Sequence, residues 1–407
     1  MMNKLLIYIS LILSVTLVPS FGALDKANTQ WLVLSLIPFL FYRMISFRYY
    51  GLVFSIYFIF IAQVFLSFLY TNNYSISLID ASRHLILFIH LTIVLNLLYK
   101  GKFSFRAFSL LVSSLLIIES LISLLPLFSF INDNGLSFSN IKSVDLNQFK
   151  GVTGNRNITT ASIAIKFPFL FYLIYKSKIS TKFLFTIFSI FPLLSLFLIN
   201  SRAALLSFIV FLFFSSSYLI LFNRKRLISL FFLSIGIIFS FSISTYILPS
   251  KSIETTQRLA SINFSNESSS QRLFLWDNAL DYISNNPFIG CGIGNWKVES
   301  AAYWGSLGNN YLVPFHAHND FLEFSTELGI IGGGTYFVLF LAILIVLIKN
   351  ILYTRKFKFV ILICSFTALF IDSLLNFPFE RPIIQIMFLF LLALTVFYNS
   401  ETNERHV

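Results

Sequence analysis

Apolar runs of about 20 residues recur along the whole chain, and this feature constrains the fold more than any other. Such a run is as long as an α-helix must be to cross ~30 Å of hydrocarbon. Because a backbone in lipid must satisfy its hydrogen bonds within its own segment, the repeated runs predict a bundle of transmembrane helices. The composition agrees, since only 11% of the 407 residues are charged, whereas a soluble domain has roughly 25%.

The runs predict an all-α polytopic membrane protein with about 12 transmembrane helices in a single membrane domain, residues 1–407. A cleaved signal peptide over Met1 to Ala23 is the alternative to the first span. Two connections are long, residues 131–156 and 249–328. The predicted spans are about 4–22, 29–47, 50–70, 80–99, 106–130, 157–176, 180–199, 203–222, 226–248, 329–349, 357–374 and 381–398.

The basic residues predict the orientation of these spans. With a cytoplasmic N-terminus, the inner segments hold 17 of the 29 basic residues and only two of the 17 acidic ones. Because cytoplasmic loops are enriched in Lys and Arg, both termini are expected in the cytoplasm and both long connections outside. The net charge of +12 therefore indicates membrane orientation and no nucleic-acid partner. Cys291 in a loop and Cys364 in an apolar run predict no disulfide.

The connection 249–328 is predicted to be folded. Residues 271–285 place Leu273, Trp276, Leu280 and Ile283 at helical spacing, with Asp277 and Asp281 on another face. Pro287 ends this helix, and Gly290, Gly292 and Gly294 predict a tight turn after it. Residues 319–329 predict a second short helix that leads into the tenth span. We expect these amphipathic helices to lie on the membrane surface.

Two arginines on the predicted outer side could bind an anion. Arg202 starts the eighth span within Asn200-Ser201-Arg202, and Arg272 lies on the loop helix. Guanidinium groups bind phosphate bidentately, so two of them could clamp a pyrophosphate. Taken singly, each arginine has a simpler interpretation: Arg202 anchors its helix at the membrane interface, and Arg272 is a solvated helix charge.

The sequence His316-Ala317-His318-Asn319-Asp320, followed by Glu323 and Glu327, is the second candidate for chemistry. A histidine beside a carboxylate can act as general base for a sugar hydroxyl. The alternatives are a metal site of His316, His318 and Asp320, and a capping role for Asn319 or Asp320 at the start of a helix.

The remaining polar groups have weaker signals. The segment Gly151 to Asn157, with Asn155, predicts a tight turn that could bring backbone N–H groups to an anion. Glu119 and Lys166 lie within spans and should face the bundle interior. Glu380 and Arg381, at the mouth of the last span, predict a local ion pair or a place in the site.

Together these motifs resemble the O-antigen ligase and O-antigen polymerase family, which includes bacterial protein O-oligosaccharyltransferases. The resemblance rests on Ser201-Arg202, then Arg272 to Trp276, Pro287, the glycine turn, and His316 to Glu323 with Glu327 and Gly329. It covers residues 150–385; the first five spans match only in hydropathy.

The resemblance implies a C-type membrane glycosyltransferase fold and a donor glycan on undecaprenyl pyrophosphate. It implies that Arg202 and Arg272 bind the pyrophosphate and that His318 activates the acceptor hydroxyl, with His316, Asn319, Asp320, Glu323 and Asn155 as supporting residues. Asp320 or Glu323 is expected to orient His318. The implied partners are the lipid-linked donor, membrane lipids and an acceptor (lipid A core, glycan or protein), without a metal or other cofactor.

The expected reaction is a single inverting displacement at the outer face of the bacterial inner membrane, which is the periplasmic face in a Gram-negative cell. The lack of a large C-terminal soluble domain disfavours a protein transferase, and the sequence does not separate ligase from polymerase. The rival class is a lipid-sugar flippase or other 12-span transporter, which typically has repeated halves and Gly/Pro-broken spans at the midplane.

Overall fold

A computed structural model of the chain describes residues 2–19, 26–37, 50–101, 103–134, 148–247, 267–303 and 315–404. All regular elements within these ranges are helices. The α-helices are α1 Met2–Ser14, α2 Ala27–Leu34, α3 Leu52–Leu66, α4 Tyr74–Lys100, α5 Phe105–Asn134, α6 Arg156–Lys176, α7 Ile179–Ile199, α8 Arg202–Phe222, α9 Ile228–Ile247, α10 Glu267–Asn285, α11 Trp296–Glu299, α12 Asp320–Thr354, α13 Phe357–Leu375 and α14 Pro382–Glu404. Single 3-10 turns are Val15–Leu17, Ser67–Leu69, Gly151–Thr153, Arg224–Arg226, Ser300–Tyr303 and Pro378–Glu380.

The predicted polytopic all-α fold is confirmed. In the described ranges, 10 helices are long and apolar enough to cross a membrane, and they correspond to the third to twelfth predicted spans. The first predicted span is a shorter apolar helix, Lys4–Leu17. The second is described only as far as residue 37, since residues 38–49 lie outside the described ranges. The total of about 12 spans therefore stays a prediction.

Helix α6 forms the centre of the bundle. Every residue from Thr159 to Tyr175 is buried, because α5, α7, α8 and α13 all pack against it. The peripheral helices instead expose large apolar side chains such as Phe213, Ile238 and Ile345. This distribution is expected where lipid is the solvent of the outer surface.

The two ionisable groups predicted to face the interior form a buried pair. The Lys166 ammonium donates to Glu119 Oε2 over 2.6 Å, and both side chains are fully buried. The pair links α5 to α6, so each charge neutralises the other inside the apolar bundle.

The long polar connection is folded, as predicted, and its helix packs against the bundle. The helix expected over residues 271–285 is α10, and it packs on α12. Its buried face differs from the predicted one: Leu275, Ala279 and Ile283 are buried, whereas Leu280 is half exposed. The buried face is shifted because α10 packs on α12 with a side that the spacing of its apolar residues does not specify. Residues 249–266 and 304–314 of this connection lie outside the described ranges.

A kink at Gly329 divides α12 into the predicted short helix and the tenth span. Gly329 has φ 74° and ψ 174°, and a Cβ there would lie 2.4 Å from the carbonyl oxygen of Phe288. The glycine turn docks on this kink: Gly292 N–H donates to the Glu327 carbonyl over 2.9 Å, and Ile330 N–H donates to Pro287 over 2.8 Å. The turn thereby holds α10 and the start of α12 together.

Candidate active site

Arg202 and Arg272, far apart in sequence, line one cavity of about 640 Å³ at one end of the bundle. The connection between α7 and α8 is only two residues long, and Asn200 makes the turn with a left-handed backbone, φ 57°. This turn puts Arg202 at the first position of α8. Arg272 lies on α10 in the folded connection and lines the same cavity.

The cavity is strongly cationic. Lys150 and Arg156 line it together with the two predicted arginines, and none of the lining residues in the described ranges is acidic. The N-termini of α6 and α8 are also at its wall, and helix N-termini favour anions. We name the space lined by Lys150, Arg156, Arg202 and Arg272 the cation cavity. Its charge and shape suit a multiply charged anion.

Lys150 and Arg156 were not among the predicted site residues. Arg156 follows the Gly-Asn turn that was expected to approach an anion, and this position was the available signal. Its Nη2 donates to the Ile199 carbonyl over 3.0 Å, which fixes the guanidinium at the C-terminus of α7. Lys150 lies before the same turn, and nothing in its local sequence distinguishes it from a solvated lysine.

Arg272 is held at the cavity by an amide rather than a carboxylate. Its Nη2 donates to Asn376 Oδ1 over 3.3 Å, and Asn376 Nδ2 donates to Asp372 over 2.6 Å. Burial and the charge of Arg202 lower the pKa of Arg272 below its ordinary value. Two guanidinium groups that repel each other in a partly desolvated cavity are stabilised when an anion binds between them.

His318 lies in a small pocket beside the cation cavity. Asn155, Asn157 and Asn376 line both spaces. The imidazole contacts the Phe377 ring edge to face, with 4.8 Å between centroids, and its backbone is left-handed, φ 52°. We name this space the His318 pocket.

The electrostatics around His318 favour the neutral imidazole. Its Nδ1 has no hydrogen-bond partner among the residues that the structure describes. Burial, followed by the charges of Arg272, His316 and Arg381, lowers the pKa of His318 to about 4. At neutral pH the ring is therefore uncharged, which is the protonation state that a general base requires.

Glu323 orients His316 and not His318. Its Oε1 lies 2.8 Å from His316 Nδ1, and its Oε2 accepts from the Ala317 backbone N–H over 2.9 Å. His316 also stacks on Phe377, with 4.2 Å between ring centroids. The expectation that Glu323 orients His318 was wrong, because its two carboxylate oxygens bond His316 and the Ala317 backbone instead. Phe377, which contacts both imidazoles, was not predicted as a site residue.

The other supporting residues have structural tasks at helix ends. Asn319 caps α12, since its Oδ1 accepts from the backbone N–H groups of Phe321 and Leu322. Asn155 caps α6 in the same way and also lines both cavities. Asp320 is buried in the first turn of α12, and no hydrogen bond to His318 is found in the described ranges. The predicted capping role of Asn319 is confirmed.

The predicted metal set, His316, His318 and Asp320, is not the one that the fold brings together. Within the described ranges, the clustered potential ligands are His316, Glu323 and Glu380, whose donor atoms lie within 4.8 Å of one another. Glu380 already bonds two cations, Arg83 over 2.7 Å and Lys297 over 3.1 Å. These positive charges oppose a metal ion, so the residues present do not fit a metal site.

The ion pairs of Glu380 also differ from the predicted local pair with Arg381, because its partners are Arg83 and Lys297. Burial by itself raises the pKa of Glu380, but the charges of Lys297 and Arg83 outweigh burial and lower this pKa to about 2. The Arg381 guanidinium instead lies over the Phe377 ring, 5.0 Å from its centroid. Phe377 therefore contacts Arg381 and both histidines.

The central part of the chain is similar to known proteins. Residues 187–337 match the family described as O-Antigen ligase. Over 103 residues the chain is 31% identical to the "Putative polysaccharide ligase RC0486" of Rickettsia conorii, a match that covers 24% of each protein. The chain thus aligns with about a quarter of the length of that relative. These matches confirm the predicted resemblance, and the family suggests glycan transfer in polysaccharide biosynthesis.

Proposed function

We propose that this chain, which carries a segment of the O-antigen ligase family, transfers a glycan from a polyprenyl-pyrophosphate donor to an acceptor hydroxyl. The observation that carries the proposal is the cation cavity beside the His318 pocket. The four cationic side chains that line the cation cavity suit a pyrophosphate. A neutral imidazole next to them suits proton removal from the acceptor.

In the proposed reaction the acceptor oxygen attacks the anomeric carbon of the donor sugar. The bond from that carbon to the pyrophosphate oxygen breaks, and the pyrophosphate leaves with the electron pair. His318 takes the acceptor proton. Because the hydroxyl attacks from the side opposite the leaving group, one displacement inverts the anomeric configuration.

The charges link donor binding to the basicity of His318. Arg272 is one cause of its lowered pKa, and a bound pyrophosphate would neutralise that charge. His318 therefore becomes a stronger base when the donor is in place. Growing negative charge on the leaving group is stabilised by Arg202, Arg272, Lys150 and Arg156, so the proposed reaction is metal-independent.

The proposed location follows from the two ends of the bundle. Lys176, Lys178, Arg226 and Arg355 lie at helix ends opposite to the cation cavity. Since basic ends tend to be cytoplasmic, we propose that both termini are cytoplasmic and that the cavity faces the periplasmic side of the inner membrane. The acceptor is lipid A core, another glycan or a protein.

Reconstitution tests this function. Purified protein in liposomes, without an ion gradient, is given undecaprenyl-pyrophosphate-linked glycan together with lipid A core or a glycan acceptor. We expect a glycosylated acceptor and released undecaprenyl pyrophosphate. Movement of intact donor between leaflets without any product would instead indicate a flippase. In cells, loss of the entire lipopolysaccharide ladder in a knockout would indicate a ligase, and a single-repeat band a polymerase.

A further inference from the structure

A second polar cavity, of about 120 Å³, adjoins the His318 pocket. It shares Ile158 and Arg381 with that pocket, whereas it has none of its described lining residues in common with the cation cavity. We name it the Arg83 cavity. Its polar lining residues are Lys26, Asn28, Thr29, Arg83, Glu380 and Arg381.

The shared walls place the His318 pocket between the other two spaces. The proposed reaction imposes the same order on its substrates, because an inverting displacement needs the acceptor opposite to the leaving group. If the pyrophosphate occupies the cation cavity and the anomeric carbon lies near His318, the acceptor approaches from the Arg83 cavity. This inference rests on the proposed function.

The lining of the Arg83 cavity indicates the chemistry of that acceptor. Lys26, Arg83 and Arg381 supply three positive charges against the single carboxylate of Glu380. That carboxylate is already bonded by Arg83 and, from outside the cavity, by Lys297. Asp80, also outside the cavity lining, bonds the same two cations, so four basic side chains face two carboxylates. Asn28 and Thr29 add neutral polar groups. The volume is large enough for a few water molecules or one small polar substituent. It is too small for a bulky apolar group.

We propose that the Arg83 cavity is the acceptor subsite and that it binds an acidic substituent, a carboxylate or a phosphate, of an acceptor saccharide. The cationic excess selects the acidic group, and Asn28 and Thr29 bond neighbouring hydroxyls. The subsite holds the saccharide so that a hydroxyl next to this substituent reaches His318.

Lys26 provides the test of charge, because its side chain is exposed and its replacement leaves the buried ion pairs intact. The liposome assay would compare an acceptor oligosaccharide that carries a uronic acid with the same oligosaccharide after reduction of its carboxylate. Lys26→Glu should raise KM for the acidic acceptor about threefold to tenfold. It should leave KM for the reduced acceptor and for the donor unchanged. Lys26→Arg, which keeps the charge, is the matched variant, and its KM for the acidic acceptor should lie closer to that of wild type than to that of Lys26→Glu.

Thr29→Tyr tests the position of the subsite. The larger side chain would occupy the cavity and should raise KM for both acceptors without changing KM for the donor. Unchanged acceptor KM in both Lys26→Glu and Thr29→Tyr would overturn the proposal, while transfer by the wild-type protein would still uphold the proposed function.

A binding experiment covers the case in which the wild-type protein transfers no glycan, which would refute the proposed function. Glucuronate and glucose would be tested against the purified protein by saturation-transfer NMR. Glucuronate binding that Lys26→Glu weakens, and that Arg202→Gln preserves, supports the anionic subsite. The inference is overturned if glucuronate does not bind, or if only Arg202→Gln abolishes its binding. In either case the Arg83 cavity does not bind the acidic ligand.

Discussion

The two histidines of the site provide a matched pair for testing the base. His318 and His316 lie two residues apart and contact the same ring, Phe377. His318→Asn removes the imidazole and keeps a residue that tolerates the left-handed backbone. If His318 is the general base, turnover with saturating donor and acceptor should fall by about 10²–10⁴-fold, which corresponds to ~3–5 kcal/mol of barrier.

The same substitution should affect stability little. The main lost contact is one edge-to-face ring pair, worth ~1 kcal/mol. His316→Ala should behave in the opposite way: it leaves Glu323 Oε1 without its partner, at a cost of about 1–3 kcal/mol, and removes a stacked ring pair. We expect this variant to melt at lower temperature and to lose less than about tenfold in turnover.

The assay measures released undecaprenyl pyrophosphate and thermal unfolding on the same detergent-purified samples. His318 is not the general base if His318→Asn retains more than a tenth of wild-type turnover. If His316→Ala is folded and inactive while His318→Asn is active, the base is His316, and Glu323 orients it through their hydrogen bond.

Three further predictions concern the electrostatics and the backbone. Burial and the charge of Arg272 lower the pKa of His318. Arg272→Gln should therefore shift the acidic limb of the kcat/KM profile from about pH 4 to higher pH. A limb that does not move would contradict the assignment of His318 as the base. Gly329→Ala should destabilise the protein by ~2–3 kcal/mol or more in thermal or denaturant unfolding, because its positive φ and the nearby carbonyl leave no room for a Cβ. Gly334→Ala, in open space on the same helix, is its control and should be neutral or slightly stabilising. For Glu380, the folded-state pKa of about 2 lies below the ordinary 4.5, so its ionised form stabilises the fold above pH 4.5 and the contribution is lost towards pH 2. Unfolding at a series of pH values should show Glu380→Gln roughly 2–3 kcal/mol less stable than wild type at pH 6, with the difference shrinking below pH 4.5; a constant difference would exclude ionisation as its cause.

The sequence determined the helical framework because hydropathy is a local property. Each run from residue 50 onwards that could cross a membrane does form a helix of the required length. The glycine turn and the break at Gly329 were also predictable, since both depend on backbone conformations that few residues adopt. The order of these spans placed Arg202, Arg272 and His318 at the same predicted side.

Only the tertiary structure decided which of these side chains meet. A carboxylate accepts from whichever donor packing brings within about 3 Å, and sequence distance does not reveal that donor. Glu380 thus bonds Arg83, 297 residues away, rather than its neighbour Arg381, and Glu323 bonds His316 rather than His318. Arg156 joins the cation cavity for the same reason, since the end of α7 happens to pack beside the start of α6. The sequence thus determined which groups reach one end of the bundle, and helix packing decided their partners, because contacts between distant segments follow from the geometry of the assembled bundle.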